Sequence, residues 1–331
     1  MDVVTYIFKG FSKAYKKVFH KVYPDNPPDC DYNRESVNAR IYRLLINDNP
    51  CMISRYGSIE IAITLTYLVR QSNEGIIKKI LNYIKDKTEL PWIDRKYYVP
   101  IARNAGVFNP TPEILEKFAQ KYLEDTPLID LLASVNYKEK FMPLKESCEY
   151  VHFETLYPFF VDNPWTVALE GKNILVVHPF AETILSQYSK RDLLFKDPRI
   201  LPSFNLKCLK AVQSIAGEEV PFNDWFEALN YMEAEIEKIE FDICILGCGA
   251  YGLPLAAFVK RLGKKAVHLG GGTQLLFGIK GKRWEENYIW TYNTPVKLDL
   301  NYKDLYNEYW VRPSENETPK AAHSVENSCY W

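Results

Sequence analysis

The sequence predicts an α/β protein with a Rossmann-like, doubly wound, mostly parallel sheet flanked by helices. Strand and helix patterns alternate from residue 173 to residue 272, as they do in consecutive β-α-β units. Two of the predicted strands, residues 173–177 and 241–246, are mainly apolar, as expected for strands that are buried on both faces of a parallel sheet. The second strand leads directly into a glycine turn and a helix, which completes one such unit.

The glycine turn contains Gly247, Gly249 and Gly252 in the spacing G-x-G-x-x-G. Glycine has no Cβ, so it can take positive φ and let a ligand approach the backbone, and the free N–H groups of the following helix attract an anion. Glycine turns also join strands to helices in α/β proteins that bind nothing there. The motif alone therefore leaves both a binding turn and a plain connection open.

The charge around this turn favours a phosphate-bearing ligand. A nicotinamide site should carry Asp or Glu about 20 residues after the glycines, where this chain has Val267, His268 and Leu269. No acidic residue occurs from 243 to 284, which counts against NAD and, by the same logic of binding ribose hydroxyls, against S-adenosylmethionine. The basic residues near the turn are Lys260, Arg261, Lys264, Lys265, Lys280, Lys282 and Arg283. A solvated basic face remains the alternative explanation for them.

Composition excludes several classes of protein. The 331 residues are 47% hydrophobic and 25% charged, which is ordinary for a soluble globular protein. The net charge of -1 argues against a generally basic nucleic-acid binder, so we expect no nucleic-acid partner. The seven cysteines show no C-x-x-C spacing and suggest reduced thiols in a cytoplasmic protein. No apolar run approaches the roughly 18 residues that cross a bilayer.

The chain divides into four predicted regions. Residues 1–28 form a basic amphipathic helix and a linker, 29–165 an N-terminal α/β part, 166–312 a Rossmann-like nucleotide-binding part, and 313–331 an extended tail. Apolar residues keep helical spacing over residues 3–23, with lysines between them. Such a helix can lie on an anionic membrane surface or pack on its own protein, and the sequence does not decide between the two.

A second site candidate follows the predicted strand 51–54. Arg55, Gly57 and Glu60 follow this strand at once, and the carboxyl end of a strand is where α/β sheets bind ligands. The structural alternative is that Ser58 caps the next helix and Glu60 complements its dipole. We predict this helix over residues 58–69.

The other predicted elements surround these two sites. Helices are expected at 36–47, 74–87, 181–188, 223–239 and 274–279, an extended segment or strand at 91–101, one or two helices over 111–133, and a strand at 204–211. His178 ends the strand that begins at residue 173, a position that makes catalysis as plausible as a structural hydrogen bond. Glu154 and Trp165 bracket an aromatic stretch that can either line an acceptor groove or simply pack.

The chain resembles the GT-D type glycosyltransferases of bacterial capsule, O-antigen and glycoprotein assembly. The resemblance covers roughly residues 34–331. It is carried by residues 55–60 (RYGSIE), 178–180 (HPF), 247–252 (GCGAYG) and the closing 329–331 (CYW). Members of this class typically carry Arg-x-Gly-Asp-Gly-Glu, whose Asp-x-Glu pair is associated with a divalent metal and the nucleotide sugar. This chain keeps Arg55, Gly57 and Glu60 and has Ser58 in place of the Asp.

The resemblance implies a glycosyltransferase that uses a UDP- or GDP-sugar and transfers the sugar to a hydroxyl of a glycan or lipid-linked acceptor in surface polysaccharide assembly. Mn²⁺ or Mg²⁺ bound at Glu60 is the implied cofactor, and Ser58 leaves this chain's own metal requirement open. We expect a cytoplasmic protein, with peripheral contact to the inner membrane face through residues 3–23. A dinucleotide-dependent oxidoreductase and a non-catalytic sugar-nucleotide-binding protein are the alternatives.

The sequence nominates two sets of residues for this function. Glu60 is the preferred candidate for the general base, and Glu154 and His178 are the next candidates. Arg55 is expected to bind a phosphate or to orient Glu60. The residues expected to line the nucleotide-sugar site are Gly57, Ser58, Asn104, Gly247, Gly249, Tyr251, Gly252, His268, Gly270, Gly271, Gln274, Lys280 and Lys282.

Overall fold

Seven parallel strands form one sheet in the computed structural model, which describes residues 2–19, 27, 29–285, 300–326 and 328–331. Their spatial order is β3-β2-β1-β7-β6-β4-β5, and every pair of neighbours is parallel. The α/β, doubly wound prediction is therefore confirmed. The strands are β1 (Cys51–Ser54), β2 (Leu131–Ser134), β3 (Glu149–His152), β4 (Asn173–His178), β5 (Asn205–Lys210), β6 (Ile243–Leu246) and β7 (Lys265–His268).

Helices cover both faces of the sheet. Alternate residues of one strand enter different cores; in β1, for instance, Met52 faces one core and Ile53 the other. The first face carries α3 (Ser58–Gln71), α5 (Tyr98–Ala105), α6 (Pro112–Asp125), α9 (Trp225–Glu237) and α10 (Gly252–Arg261). The second carries α2 (Arg34–Ile46), α7 (Ala181–Tyr188), α8 (Arg191–Leu194), α11 (Gly272–Leu276) and α12 (Lys282–Glu285). Two further helices, α1 (Asp2–Val18) and α4 (Ile76–Ile84), pack against each other.

The path of the chain opens crevices at the carboxyl edge of the sheet. After β4 the chain crosses the second face to β5, whereas after β6 it crosses the first face to β7. The same divergence occurs where β1 and β7 lie side by side, since α3 follows β1 on the first face and α11 follows β7 on the second. Such divergent loops are where open α/β sheets bind ligands.

Two of the secondary-structure predictions in the N-terminal half of the chain are wrong. Residues 91–101, expected to be extended, contain a 3-10 turn (Arg95–Tyr97) and the first half of α5. Residues 111–133, expected to be helical throughout, end as β2, because the helix stops near Pro127 and four fully buried apolar and small residues follow. Strand β3 was not predicted; of its four residues, the first is exposed, the second half-buried, and the last two buried.

The final segment is packed rather than extended, in contrast to the tail that the sequence predicted for 313–331. It forms two short 3-10 turns, and Glu317, Val325 and Cys329 are buried. The Glu317 carboxylate accepts hydrogen bonds from the backbone N–H groups of Glu182 and Thr183, at 2.8 and 3.3 Å, and so caps α7. The segment thereby returns to the carboxyl edge of β4.

The N-terminal helix forms as predicted over Asp2–Val18, and the predicted residues 20–23 lie outside the described ranges. Over the described residues, no helix combines the length and the apolar character needed to span a bilayer.

Candidate functional site

Arg55 and Gly270 meet in the crevice between β1 and β7. Arg55 follows the last residue of β1, and Gly270 lies two residues after β7. Gly270 takes a positive φ of 61°, and a Cβ there would stand 3.4 Å from the Arg55 guanidinium. The glycine therefore gives the guanidinium room and holds a backbone conformation that other residues rarely take.

The Arg55 guanidinium is half-buried and makes no salt bridge to any described carboxylate. It lies over the Phe153 ring, with 5.5 Å between its central carbon and the ring centroid. Its positive charge acts on Glu60, Glu139 and Tyr157, whose pKa values it lowers against a larger upward effect of burial. A partly desolvated cation without an ion-pair partner is favourably placed to receive an anion.

Glu60 caps the helix on which it stands. Its carboxylate folds back over Gly57, the N-cap of α3, where any Cβ would overlap it. Burial raises the pKa of this carboxyl group, and hydrogen bonds from the backbone N–H groups of Glu60 and Ile59 oppose the rise. Glu60 is only 8% exposed. These contacts agree with the structural alternative, in which Glu60 complements the helix dipole. The capping group, however, is Glu60 and not Ser58, whose side chain is exposed.

The glycines of the G-x-G-x-x-G turn are surrounded by the protein's own side chains. A Cβ on Gly247 would lie 2.5 Å from the His178 ring and 2.7 Å from the Thr273 hydroxyl, and one on Gly252 would overlap the His268 ring. Gly249 is exposed, has a φ of 58°, and faces the Ala105 carbonyl. Close packing of strand ends against α10 therefore accounts for these glycines, and their role in binding a diphosphate stays a prediction.

His178 and His268 are buried and uncharged. Burial lowers the pKa of each imidazole to about 3. His178 Nδ1 accepts a hydrogen bond from the Phe180 N–H at 3.0 Å, and His268 Nδ1 lies 3.2 Å from the Ser54 hydroxyl. A group with so low a pKa is a weak proton acceptor at neutral pH, so these contacts describe structural histidines.

Glu154 is the carboxyl group best matched to proton transfer. Burial raises its pKa to about 7, opposed by the nearby charge of Arg34. It lies in the 3-10 turn Phe153–Leu156 that follows β3, and its side chain is only partly buried. Burial raises the pKa of Tyr157 to about 12, and the charges of both Arg55 and Glu154 act on this hydroxyl.

Glu139 is a carboxyl group at this edge that the sequence analysis missed. It is fully buried in the turn after β2, where burial raises its pKa to about 8 against hydrogen bonds from Ser134 and the Val135 N–H. Glu139 was missed because strand β2 was not predicted. Once residues 131–134 are known to be a strand, a glutamate five residues after its end becomes a site candidate.

The cationic segment 280–283 contributes one side chain to the region of Arg55. The Lys280 ammonium lies over the Tyr306 ring at 5.6 Å, and Lys282 begins α12. Arg283 forms a salt bridge with Glu326, and its charge lowers the pKa of Tyr157 and Tyr330. Arg283 also contacts the closing segment, with its guanidinium over the Tyr330 ring at 4.8 Å.

The remaining predicted site residues have mainly packing contacts. Gln274 donates hydrogen bonds to the carbonyl groups of Lys280 and Tyr330, at 3.2 and 3.1 Å. Gly271 faces Trp284 and Tyr330, and Tyr251 stacks on Trp225 with 5.0 Å between ring centroids. Asn104 is half-buried near the end of α5, beside the Ala105 carbonyl that faces Gly249.

The donor set around Glu60 does not suit a protein-held divalent metal. Its carboxylate is engaged with the amides of its own helix, and Ser58 adds no carboxylate. In the parts of the chain that the structure describes, no group of three or more His, Cys, Asp or Glu side chains could hold a metal ion.

The fold and site define a doubly wound α/β protein with a cationic crevice at the carboxyl edge of its sheet. No family model matches the sequence, and no curated protein matches it. Two solved chains match in structure, each with 14% identity, a TM-score of 0.36, and coverage of 94% of this chain and 96% of the other. One is described as a highly conserved domain of unknown function 1792 with a distinct glycosyltransferase fold, and the other is a selenomethionine-substituted structure of domain of unknown function 1792. At this identity and score, no residue role is carried over from either chain.

Proposed function

We propose that this protein is a glycosyltransferase that moves a sugar from a nucleoside diphosphate to an acceptor hydroxyl. The observation that carries the proposal is the Arg55 guanidinium, which is half-buried at the carboxyl edge, has no salt bridge among the described residues, and lies over the ring of Phe153, the residue before Glu154. Glycosyl transfer needs a cation for the leaving diphosphate and a proton acceptor for the attacking hydroxyl. Arg55 and Glu154 supply these two groups.

Arg55 has the chemistry to hold the diphosphate. A guanidinium donates several N–H groups in a planar fork and stays charged at all physiological pH values, so it suits phosphate oxygens. Gly270 leaves space beside it, and Arg283 adds a second positive charge to the same region, partly balanced by Glu326. The negative charge that grows on the diphosphate as the glycosidic bond breaks would be stabilised there.

Glu154 is the general base in this proposal, in preference to Glu60. The Glu60 carboxylate is committed to the amides of α3, whereas Glu154 is partly exposed and has a pKa of about 7. A base whose pKa lies near the working pH combines a useful ionised fraction with useful proton affinity. The acceptor O–H gives its proton to Glu154 as its oxygen bonds to the anomeric carbon, and the nucleoside diphosphate leaves with the electron pair of the broken C–O bond.

The resemblance to GT-D type glycosyltransferases implies a UDP- or GDP-sugar as donor and a hydroxyl of a glycan or lipid-linked sugar as acceptor, as in surface polysaccharide assembly. The end of β7 opposes the oxidoreductase alternative. The chain carries His268, Leu269 and Gly270 there, and no carboxylate that could hold a nicotinamide ribose.

The test is a transfer assay with a panel of UDP- and GDP-sugars, read by release of the nucleoside diphosphate and by mass spectrometry of the acceptor. We expect at least one donor to be consumed and the Glu154→Gln variant to consume it at least about 100-fold more slowly. Thermal stabilisation by NAD(H) but by no sugar nucleotide would replace the proposal with the oxidoreductase. Stabilisation by a sugar nucleotide without transfer or hydrolysis would leave a binding protein.

A further inference from the structure

The N-terminal helix α1 packs on the protein through a polar side. The Lys9 ammonium pairs with Asp94 at 2.6 Å, and the Lys16 ammonium pairs with Asp86 at 2.8 Å. The Thr5 hydroxyl oxygen accepts a hydrogen bond from the Trp92 indole N–H at 2.9 Å. Thr5 and Ser12 are buried in this contact, which also brings α1 against α4. These contacts fix the orientation of the helix, with Thr5 and Ser12 facing the rest of the protein.

The outward side of α1 is apolar and exposed, the reverse of an ordinary surface helix. Val4, Ile7, Phe11 and Val18 recur at helical spacing along one stripe, and Ile7, Phe11 and Val18 are 50%, 54% and 68% exposed. The neighbouring α4 also exposes Ile76, Ile77 and Leu81. We call the four α1 residues the apolar stripe. An apolar surface of this kind, repeated on two adjacent helices, usually marks an interaction site.

After Asp2, every charged residue of α1 is a lysine. Residues 3–19 contain four lysines and no acidic residue. Lys9 and Lys16 are used in the inward contact, whereas Lys13 and Lys17 are exposed and form no salt bridge within the described part of the chain. On a helical projection both exposed lysines lie on the same side of the stripe, with Lys17 nearer to it and Lys13 further round, next to the inward side of the helix.

We propose that the apolar stripe of α1 binds an anionic lipid surface, lying in the headgroup region with Lys13 and Lys17 against the lipid phosphates. A helix with an apolar side and flanking lysines binds membranes by burying that side while its cations pair with anionic headgroups. Since residues 3–19 supply no acidic residue to face these lysines, the same surface on a second copy of the chain would bring like charges together. Lipid phosphate complements this flank. The docking of α1 on the protein and its binding to a membrane are thus compatible, because they use opposite sides of the helix. This surface does not depend on the proposed transferase chemistry.

Co-sedimentation of the full chain with phosphatidylcholine vesicles, with and without phosphatidylglycerol, tests the inference. We expect binding to vesicles that contain phosphatidylglycerol and weaker binding at high salt. Phe11→Ser should lower the partition coefficient at least about tenfold. Lys13→Ser and Lys17→Ser should each lower it about fivefold. Leu185→Ser is the matched control, since Leu185 is 47% exposed on α7, and it should leave binding unchanged.

Circular dichroism and thermal unfolding of each variant establish that it is folded, and the substituted side chains are exposed, so loss of the fold is not expected. Vesicle binding that Phe11→Ser leaves intact would overturn the inference, as would no binding to either kind of vesicle. Self-association that Phe11→Ser abolishes, in a chain that ignores vesicles, would assign the stripe to a second copy.

Discussion

The carboxylate of Glu60 lies directly over Gly57, in the space that any side chain at position 57 would fill. In this position it accepts hydrogen bonds from two amides of the first turn of α3, a helix whose N-cap glycine offers no capping side chain. This contact between Glu60 and Gly57 accounts for the spacing of Arg55, Gly57 and Glu60 in the sequence. The glycine admits the carboxylate, the carboxylate caps the helix, and the turn before it places Arg55 at the end of β1.

Gly57→Ala should therefore lower the free energy of unfolding by about 1–3 kcal/mol, because the new methyl group displaces a buried, hydrogen-bonded carboxylate. Gly75→Ala is the matched control. Gly75 is also the N-cap of a helix, takes a similar extended backbone, and offers open space, since a Cβ there would meet nothing within 4 Å. Urea unfolding of both variants measures the difference, and an equal effect at the two positions would refute the Glu60 contact.

Coupling between the two positions gives a second check. In a Glu60→Ala background the carboxylate is gone, so Gly57→Ala should cost about 1 kcal/mol less than it does in the wild-type chain. Additive effects would show that the methyl group at position 57 conflicts with a group other than the Glu60 carboxylate.

Glu154 should impose a pH dependence on activity. With a pKa raised by burial to about 7, it is the ionised base only above that pH, so kcat/KM should rise with pH and level off above about 7. Glu154→Gln should remove this inflection and lower kcat by about 10²–10⁴-fold. The exposed Glu237, at the end of α9, provides the control variant Glu237→Gln. A Glu154→Gln enzyme with an unchanged pH profile would exclude this base.

The same carboxyl group should make stability depend on pH. Its pKa in the folded protein is above its ordinary value of 4.5, so its contribution is fully present below about pH 4.5 and is lost as the pH rises through about 7. The stability of the wild type relative to Glu154→Gln should thus fall by up to about 3 kcal/mol over this interval. Urea unfolding at several pH values measures it, and a constant difference between the two proteins would contradict the buried environment of Glu154.

Glu317 should stabilise the attachment of the final segment to α7. Glu317→Ala leaves two backbone N–H groups and the Thr183 hydroxyl without their acceptor, which should cost about 1–3 kcal/mol. Glu315 lies in the same 3-10 turn and is exposed, so Glu315→Ala should change the unfolding free energy by less than about 0.5 kcal/mol. Equal effects would indicate that the final segment is not held through Glu317.

The sequence predicts the sheet well where strands are long or wholly apolar. The run from 173 to 178 and the glycine unit from 243 to 268 are recognisable because fully buried parallel strands are nearly continuous apolar stretches. Strand β2 escapes recognition because it follows α6 and a 3-10 turn within a stretch that resembles one or two helices, and β3 because its first two residues are exposed or half-buried. The pairing of β2 with β1 and of β3 with β2 depends on contacts far away in sequence, which local pattern does not report.

The sequence predicts the candidate site only in part. Arg55 and Glu154 were nominated from the residues around them, but the distinction between Glu60 and Glu154 as base depends on burial and capping. Similarly, the motif at Gly247 indicates a tight turn, whereas the rings of His178 and His268 that fill it come from other strands. Glu139 was missed because its strand was missed.

The most direct test is calorimetric titration of a nucleoside diphosphate and its sugar into the wild-type protein, Arg55→Gln and Arg70→Gln. Arg70 stands at the far end of α3 and pairs with Glu116, which makes it the matched control. The loss of a charge-assisted contact at Arg55 should weaken binding by about 10–100-fold, with Arg70→Gln unchanged. Undiminished affinity in Arg55→Gln, or no binding by the wild type, would contradict a diphosphate site at this crevice.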